Sequence, residues 1–371
     1  MPYKQCVRCV MDTSAHDISF DQNGICNYCT EFITKSGAEL NEDIDIKNKK
    51  LAHFVAKVKA AGKGMRYDCI VGVSGGVDSS WVLVQAVKHG LRPLAVHMDN
   101  GWNSELAQNN IANLVRGLGV DLHTHVIDWD EYRRLMQAFF DADVIDVELL
   151  YDNAMLGVNY FAASAHGVKT ILGGTNLATE GMRMPSEWNW LKFDKKNIQS
   201  IGRRFGAVKL KTFPTIGTID FVTYEFVRRI KWVSVLNMTD YNKFIALREL
   251  SDAYGYKPYP YKHYESVFTR FYQGYILPRK FGVDKRKVHL STLIVTGQLS
   301  RTDAILDLNN IPYPTREEME ADKNYFIKKM GWKSSELDDY ISRPENSHAT
   351  FGTEKPLWNF LLNVYKKIRF T

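Results

Sequence analysis

The sequence has no long hydrophobic run. Nothing in its 371 residues approaches the length of about 18 consecutive apolar residues that crosses a bilayer. The first twelve residues, MPYKQCVRCVMD, lack the apolar core of a secretory signal. No internal repeat or low-complexity tract is present. We therefore expect a cytoplasmic globular protein of roughly two to three domains, without membrane insertion.

Neither sign of charge predominates strongly. The chain has 48 Lys and Arg residues against 42 Asp and Glu residues, which gives a formal net charge of +6. A mild positive balance permits an anionic substrate but does not require a nucleic-acid partner, and we expect none.

Cysteine is scarce after residue 29. Of the five cysteines, four form a C-x2-C-x16-C-x2-C pattern made by Cys6, Cys9, Cys26 and Cys29, and the fifth is Cys69. In a secreted protein this set could form disulfides, but an intracellular chain with paired C-x2-C turns is typical of structural zinc. Four unrelated free thiols are the alternative. Cys69 lies in an apolar run, where a buried, inert thiol is expected.

Short apolar runs alternate with helical patterns over residues 67–176. Strands are predicted at 67–73, 92–99, 122–128 and 170–176, with helices at 78–89, 104–119, 130–140 and 148–167. This alternation predicts an α/β fold with a parallel sheet and helices on both faces.

The pattern changes after residue 180. Residues 182–206 are aromatic and basic without a clear period, and we interpret them as an ordered insertion or an active-site loop. Residues 216–371 read as mostly helical, including 225–237, 240–255 and 302–310. The last helix, at 354–370, is basic and amphipathic, and either packs on the core or docks a partner.

The first strand gives way to a helix through the segment Ser74-Gly-Gly-Val-Asp-Ser-Ser80. Glycines let the backbone approach an anion closely, and the amides of the loop and helix start point at it. Hydroxyl groups of Ser74, Ser79 and Ser80 add donors. The segment lacks the lysine of the G-x4-G-K-[ST] loop. We therefore predict a phosphate site of a different type.

Asp78 lies inside this phosphate loop. A carboxylate next to bound phosphate is repulsive unless a cation bridges them, and Mg²⁺ prefers a carboxylate together with phosphate oxygens. The alternative is a helix-start acid that only complements the helix dipole.

These residues resemble the PP-loop ATP pyrophosphatases, which include NAD, GMP and asparagine synthetases and tRNA thiolation enzymes. The resemblance implies ATP cleavage between the α and β phosphates and a parallel-sheet, adenine nucleotide alpha hydrolase-like domain. It also implies that HMDNGW (97–102) and GGTNLATEG (173–181) lie beside the nucleotide. Glu180 would be a second Mg²⁺ ligand, with Asn176 displaced by one position from the related segment. The ATP-binding residues implied are Gly72, Val73, Ser74, Gly75, Gly76, Val77, Asp78, Ser79, Ser80, His97, Asp99, Gly174 and Thr175.

Both ends of the chain resemble a narrower family. The segments KQCVRCVMDTS and GICNYC, the PP-loop, and residues 272–305 together are similar to the N-acetyl sugar amidotransferases of bacterial surface-polysaccharide synthesis. The resemblance implies conversion of the N-acetyl group of a nucleotide-linked sugar, such as a UDP-diacetamido uronic acid of O-antigen or lipopolysaccharide, to an acetamidino group. Ammonia would come from separate glutaminase and cyclase-like subunits.

The sequence patterns, together with the resemblance, predict four parts: a cysteine module at 1–40, a linker helix at 41–66, an ATP-binding domain at 67–215 and a mostly helical substrate or partner domain at 216–371. Asp78, Ser74, Lys280 and Arg286 are our catalytic candidates. The basic segment RKFGVDKRK supplies the substrate candidates Arg279, Lys280, Lys285, Arg286 and Lys287. A solvated basic face is the alternative for this segment.

Two other functions stay open. Some tRNA thiolation enzymes also have N-terminal cysteine pairs, but Cys69 is the only thiol here that could serve such chemistry. A zinc-module adaptor with an inactive nucleotide fold would release no AMP from ATP. Trp188 and Trp190 either line a sugar site or pack in the core, and His16 is expected at the surface.

Overall fold

The computed structural model describes residues 2–206, 209–260 and 264–370. Its centre is a five-stranded parallel sheet in the order β3-β2-β1-β4-β5. The strands are β1 (Cys69–Gly72), β2 (Pro93–Asp99), β3 (Asp121–Val126), β4 (Thr170–Leu172) and β5 (Lys231–Val233).

Sixteen α-helices lie in the described ranges. They are α1 (Asn27–Leu40), α2 (Ile44–Ala61), α3 (Val77–Lys88), α4 (Glu105–Leu118), α5 (Trp129–Asp141), α6 (Leu149–Ala165), α7 (Leu177–Glu180), α8 (Lys195–Arg204), α9 (Thr218–Val222), α10 (Lys243–Tyr254), α11 (Val267–Phe271), α12 (Arg286–Val295), α13 (Arg301–Asn309), α14 (Arg316–Met330), α15 (Ser334–Ser342) and α16 (Lys355–Phe370). Helices α9 and α11 continue as π-helices over Thr223–Val227 and Tyr272–Phe281, and short 3-10 turns cover Val235–Met238 and His348–Thr350.

Alternate residues of the central strand β1 enter opposite layers of the core, as the pleat of a strand requires. In β1, Cys69 and Val71 join one hydrophobic cluster with residues of α3, α4 and α10. Ile70 joins a second cluster on the other face with residues of α5 and α6. Helices therefore cover both faces of the sheet, as a fully parallel sheet demands.

The α/β prediction is confirmed, and the predicted four strands and four helices of residues 67–176 are all present, with β4 shorter than expected. Ser104 begins α4 as predicted, since its side chain accepts a hydrogen bond from the amide of Ala107 at 3.2 Å. The mostly helical C-terminal region is confirmed as well.

The helical prediction for residues 225–237 is wrong over its second half. Arg229 has a left-handed backbone, with φ of 56°, and this ends the helical path. The chain then forms β5, which pairs with the open edge of β4: the amide of Lys231 donates to the carbonyl of Lys169 at 2.8 Å, and that of Gly173 to Val233 at 2.9 Å. These bonds satisfy an otherwise unpaired edge of the sheet.

The boundary predicted between residues 215 and 216 stays a prediction, although β5 lies beyond it and still belongs to the sheet. The stretch at 182–206, predicted without a regular element, contains α8. Asp194 caps it by accepting from the amide of Asn197 at 3.0 Å, while Ile198 and Ile201 are buried. No helix within the described ranges combines the length and hydropathy of a membrane span.

Candidate functional site

The four N-terminal cysteines converge. Cys6, Cys9, Cys26 and Cys29 are all buried, and their sulfur atoms lie within 4.8 Å of one another. The Sγ atoms of Cys6 and Cys29 are 4.0 Å apart and those of Cys9 and Cys26 are 3.7 Å apart, without a disulfide. Four sulfurs bound at about 2.3 Å around a tetrahedral metal stand about 3.8 Å apart. The donor set therefore fits zinc.

The cysteine module is fixed to the C-terminal part of the chain. Arg301 donates to the backbone carbonyls of Cys6 at 2.9 Å and Cys9 at 3.0 Å. Lys287 makes an ion pair with the buried Asp12 at 2.6 Å. Metal binding at the cysteines would thus hold in place the surface on which α12 and α13 pack.

The predicted phosphate loop lies where β1 ends and α3 begins, at the carboxyl edge of the sheet. Gly75 has a φ of 85°, and a Cβ there would come within 3.0 Å of the Ala107 carbonyl. Gly174, from the loop after β4, lies against the start of α3, since a Cβ on it would be 3.0 Å from the amide of Ser79. Both glycines are required by these close backbone approaches.

Hydroxyl groups line the inside of this loop. Ser79 Oγ accepts from the Ser74 amide at 3.3 Å and lies 3.3 Å from Ser74 Oγ. The amide of Gly76 points inward, to Ser74 Oγ at 3.3 Å. Ser80 is buried, and Val77 opens α3. The loop therefore turns amides and hydroxyls toward one small volume, which suits a phosphate group.

Two tyrosines hold the outside of the loop. The hydroxyls of Tyr256 and Tyr259 donate to the carbonyl of Gly75 at 2.8 and 3.1 Å. Asn110 of α4 fixes this tyrosine segment by exchanging two 2.9 Å hydrogen bonds with the backbone of Lys257. Because a peptide is planar, holding the Gly75 carbonyl outward directs the Gly76 amide inward. Sequence reasoning missed both tyrosines, since no local pattern marks such a distant contact.

The carboxylate of Asp78 lies among polar groups from two other segments. Tyr241 donates its hydroxyl to Asp78, and Thr179 Oγ1 lies 3.4 and 3.5 Å from the two carboxylate oxygens. Burial raises the pKa of Tyr241, and the negative charges of Asp78 and Glu180 raise it further. The charges of Asp78 and Glu180 thus both act on the hydroxyl of Tyr241. Carboxylates gathered beside a phosphate loop are the donor type that Mg²⁺ uses.

The loop that carries Thr179 and Glu180 is ordered by Asn176. Its side chain caps α7 by accepting from the Thr179 amide at 2.9 Å and donates to the Gly174 carbonyl at 3.0 Å. Thr175 is exposed at the same turn, with its hydroxyl 3.1 Å from that of Ser234. The predicted nucleotide residues after β4 therefore share one edge of the sheet with the phosphate loop.

His97 and Asp99 shape the neighbouring turn after β2. His97 Nδ1 donates to the carbonyl of Val73 at 2.9 Å, and Asn103 donates to its Nε2 at 3.0 Å, an assignment of the proton that leaves the ring neutral. Burial lowers the pKa of His97, which agrees with that state. Asp99 accepts from the amide of Gly101 at 2.8 Å. Their contact with adenosine stays a prediction.

The basic segment at 279–287 does not gather into one cluster. Lys280 donates to Asp143 and to the carbonyls of Tyr340 and Arg343 at 2.6–3.0 Å. Lys285 pairs with Glu148 at 2.6 Å, and Arg286 pairs with Asp284 at 2.8 Å and Asp307 at 3.2 Å.

The remaining two cations of that segment also have protein partners. Arg279 lies over the ring of Tyr275 at 3.8 Å, and Lys287 belongs to the cysteine-module contact. The assignment of these five cations to substrate, and of Lys280 and Arg286 to catalysis, stays a prediction, and each cation has a structural role in the described contacts.

A half-buried charged group lies at the amino end of α6 and was not predicted. Lys192, from the aromatic and basic stretch, makes ion pairs with Asp146 at 2.7 Å and Asp152 at 2.9 Å. Burial raises the pKa of the Asp152 carboxyl, while Lys192 opposes that shift. The neighbouring Tyr151 has its pKa raised by burial and then by the charge of Glu265.

Glu265, whose charge acts on Tyr151, lies beside the phosphate loop. A Cβ on Gly76 would lie 3.5 Å from the Glu265 carboxylate. We call Lys192, Asp152 and Glu265 the charged wall. Sequence patterns placed Asp152 in a predicted helix, Lys192 in a possible active-site loop and Glu265 in the helical C-terminal part, without giving any of them a role.

The tryptophans and the remaining cysteine have structural positions. Trp188 is buried in the core, and Trp190 stacks on His348 with ring centroids 5.0 Å apart. Cys69 is fully buried, and burial raises the pKa of its thiol, so it is inert as predicted. His16 is exposed, also as predicted.

The C-terminal part of the chain is similar to a known domain family. Residues 265–366 match the model of the C-terminal domain of WbpG-like LPS biosynthesis proteins. Over these residues the chain is similar to that domain. This match covers Glu265, the π-helix with Lys280, and α12, and it supports the resemblance to surface-polysaccharide enzymes drawn from the sequence. A search of curated protein sequences gave no significant match.

Solved structures give weaker similarities. The NMN synthetase from Francisella tularensis is 15% identical over 60% of this chain and 100% of its own, with a TM-score of 0.31. The NH3-dependent NAD synthetase from Campylobacter jejuni subsp. jejuni NCTC 11168 is 16% identical over 44% and 73%, with a TM-score of 0.30. A 4-thiouridine synthetase solved with RNA and ATP is 17% identical over 54% and 44%, with a TM-score of 0.30.

We expect the purified protein to contain about one zinc per chain, because the four sulfurs already stand at tetrahedral spacing. Metal analysis by mass spectrometry checks this. Cys26→Ser should lower the zinc content and the melting temperature, whereas Cys69→Ser, the matched control, should leave the zinc content unchanged. Iron in place of zinc, or full zinc content in Cys26→Ser, would contradict the assignment.

We expect the two tyrosines to substitute for each other in holding the Gly75 carbonyl. Tyr256→Phe and Tyr259→Phe should each weaken ATP binding by less than about threefold, because one donor remains, and the double variant should weaken it by about tenfold or more. Isothermal titration with ATP and Mg²⁺ measures this.

The control for the tyrosine pair is Tyr313→Phe, which removes a buried hydroxyl that bonds Asp322 away from the loop at 3.1 Å. Its ATP affinity should equal that of the wild type. A double variant that binds ATP normally would show that the loop does not depend on these hydroxyls.

Proposed function

We propose that this chain is an ATP-dependent amidotransferase of surface-glycan synthesis. It adenylates the N-acetyl carbonyl of a nucleotide-linked acetamido sugar, such as a UDP-diacetamido uronic acid, and ammonia then displaces AMP. The observation that supports this most directly is the Ser74–Ser80 loop, with inward amides and hydroxyls and with Asp78 beside it. The WbpG-like match at 265–366 supports the link to lipopolysaccharide.

The chemistry explains why ATP is needed. An amide carbonyl is a poor electrophile and its oxygen is a poor leaving group. In the proposed first step the acetamido oxygen bonds to the α-phosphorus while the bond to the β-phosphate breaks, releasing pyrophosphate. In the second step ammonia bonds to the activated carbon, the C–O bond breaks with loss of AMP, and a proton leaves, so that C=O becomes C=NH.

The residues of the loop have distinct parts in this proposal. The Gly76 amide and the hydroxyls of Ser74 and Ser79 hold the β and γ phosphates, where charge develops as pyrophosphate departs. Asp78 and Glu180 would hold Mg²⁺, which supplies charge stabilisation to those phosphates. The donor set fits, since the hydroxyl of Thr179, the residue before Glu180, lies 3.4 Å from the Asp78 carboxylate, and carboxylates beside phosphate are what Mg²⁺ prefers.

The wall of Lys192, Asp152 and Glu265 is our candidate for the acceptor side. Lys192 and Asp152 are half-buried and form an ion pair, and the carboxylate of Glu265 lies next to Gly76. A sugar placed against this wall would present its acetamido group to the loop. The supply of ammonia by separate glutaminase and cyclase-like subunits belongs to the proposal as well, because four of the five thiols are gathered at one site and Cys69 is buried.

A tRNA thiolation enzyme is the second candidate in the same class. Persulfide chemistry usually needs an accessible cysteine outside the metal site, and Cys69 is fully buried. Sulfur would then have to be carried by another protein. This favours ammonia over sulfur as the nucleophile.

The decisive experiment incubates the protein with ATP, Mg²⁺, ammonium and UDP-linked diacetamido sugars. We expect AMP and pyrophosphate in equal amounts and a product whose mass reflects replacement of one oxygen by NH. The measurement is chromatography of nucleotides with mass spectrometry of the sugar. AMP formation that depends on tRNA and a sulfur donor, or no AMP with any of these acceptors, would refute the amidotransferase.

Asp78→Asn should lower AMP formation by about a hundredfold or more while the protein stays folded, because the side chain keeps its shape but loses the charge that would hold Mg²⁺. The rate and the circular dichroism spectrum are measured together. Tyr241→Phe, which removes only a hydroxyl that bonds Asp78, is the matched control and should cost about tenfold or less. Normal turnover in Asp78→Asn would remove the metal-bridging role.

A further inference from the structure

The last helix, α16, packs on the protein along only one side. Trp358 stacks on Phe193 with ring centroids 5.5 Å apart, and Tyr365 contacts Phe226 at 6.0 Å. Most other described residues of α16 are exposed. The sequence left open whether this helix packs on the core or docks a partner. In the structure it packs on the core through a minority of its apolar residues, and the others are exposed.

An apolar row runs along the exposed side of α16. We call it the α16 face, made by Leu357, Phe360, Val364 and Ile368, which follow one another at the three- and four-residue spacing of one helix side. Phe360 is 64% exposed and Ile368 is 72% exposed. A helix of 16 residues is about 24 Å long, so this is an extended stripe and not a single side chain.

The stripe continues onto the π-helix that follows α9. The contact between Tyr365 and Phe226 joins the two segments, and Phe226 itself is 54% exposed. Val227, the next residue, is also exposed, as is Ile219 of α9. Apolar residues from two elements therefore form one surface.

The charge around this surface has a single sign over α16. Residues 355–370 contain no acidic residue. Lys366 and Lys367 are exposed, whereas Lys355 lies over the ring of Trp190 at 4.3 Å. Arg228 and Arg229 follow Val227 on the second element, and Arg229 adopts a left-handed backbone there. They line a cavity of about 440 Å³ together with Lys169. Apolar residues flanked by cations are typical of helices that lie in a membrane interface.

The two ends of this surface lie near different edges of the sheet. The start of α16 lies beside Phe193, next to Lys192, whereas its end contacts Phe226, two residues before Arg228. Arg228 bonds the side chain of Ser164, at the carboxyl end of α6, and Lys169 immediately precedes β4. Both lie at the amino edge of the parallel sheet, whereas the phosphate loop lies at its carboxyl edge. A flat object that covers the end of α16 together with Phe226 and Val227 would therefore lie at the edge opposite the phosphate loop.

We propose that the α16 face, with Phe226 and Val227, docks this protein on an anionic lipid surface without crossing it. Charge complementarity selects this occupant: Lys366 and Lys367 of α16, with Arg228 and Arg229, meet lipid phosphates, and the apolar row enters the acyl boundary. A second copy is disfavoured because it would bring another acid-free, cationic helix against the first.

The test is co-sedimentation of the full chain with vesicles of phosphatidylcholine alone and of phosphatidylcholine with phosphatidylglycerol. We expect binding to the anionic vesicles only, weakened by salt. Ile368→Asp should reduce binding by about tenfold or more, and Lys366→Glu by about fivefold or more. Both positions are exposed, so the fold is kept.

Leu306→Asp, on α13, is the matched control, because Leu306 is an equally exposed apolar residue away from this surface. It should bind vesicles like the wild type. Absence of vesicle binding would overturn the proposal, and so would equal loss in Leu306→Asp. A dimer seen by light scattering, abolished by Ile368→Asp in a protein that ignores vesicles, would assign the face to a second copy.

Discussion

The pair of hydrogen bonds from Tyr256 and Tyr259 to the carbonyl of Gly75 is the constraint on which the candidate site depends. The donors lie 181 and 184 residues away in sequence from the acceptor. A glycine loop is flexible by itself, because glycine has the widest choice of backbone conformations. The two hydrogen bonds from the tyrosines hold the loop in the conformation in which the Gly76 amide faces the phosphate volume. The loop is thus completed by the C-terminal part of the chain and is not a property of the β1–α3 segment alone.

The cysteine module acts on the same edge of the sheet from the other end of the chain. Arg183 follows α7 closely and pairs with Asp17 at 2.8 Å and Glu31 at 2.6 Å. Gly181 lies so close to Phe32 of α1 that a Cβ would come within 2.3 Å of its ring. These contacts fix the segment that carries Thr179 and Glu180. A metal bound by the four sulfurs would therefore stabilise one of the loops beside Asp78, at a distance and without touching the nucleotide.

The parts of this molecule that the sequence predicts are those set by local chemistry. The spacing of the four cysteines predicts a metal site, and the strand, glycine-rich loop and helix start between Cys69 and Ser80 predict a phosphate site, because each pattern lies within one short segment. The sheet is predicted by the strand and helix periods. The basic segment at 279–287 shows the opposite case. Its local charge density suggested an anion site, but Lys280, Lys285 and Lys287 pair with Asp143, Glu148 and Asp12, which are more than a hundred residues away. Long-range pairing of this kind has no local pattern, and neither has β5, whose three residues form a strand because β4 offers an open edge.

Because the strands are parallel, the phosphate loop and the Arg228 end of the proposed docking surface lie at opposite edges of the sheet. All five carboxyl ends point the same way, so the loops after β1, β2 and β4 meet at one edge and leave the other edge free of them. The helix α6 runs back between these edges: its amino end carries Asp152 of the charged wall, and its carboxyl end carries Ser164, next to Arg228. In the proposed arrangement a lipid surface at the amino edge would turn the phosphate loop toward the solvent, where a nucleotide-linked sugar and ATP arrive. Helix α6 thus extends from Asp152, in the charged wall near the phosphate loop, to Ser164, at the edge of the sheet where Arg228 lies.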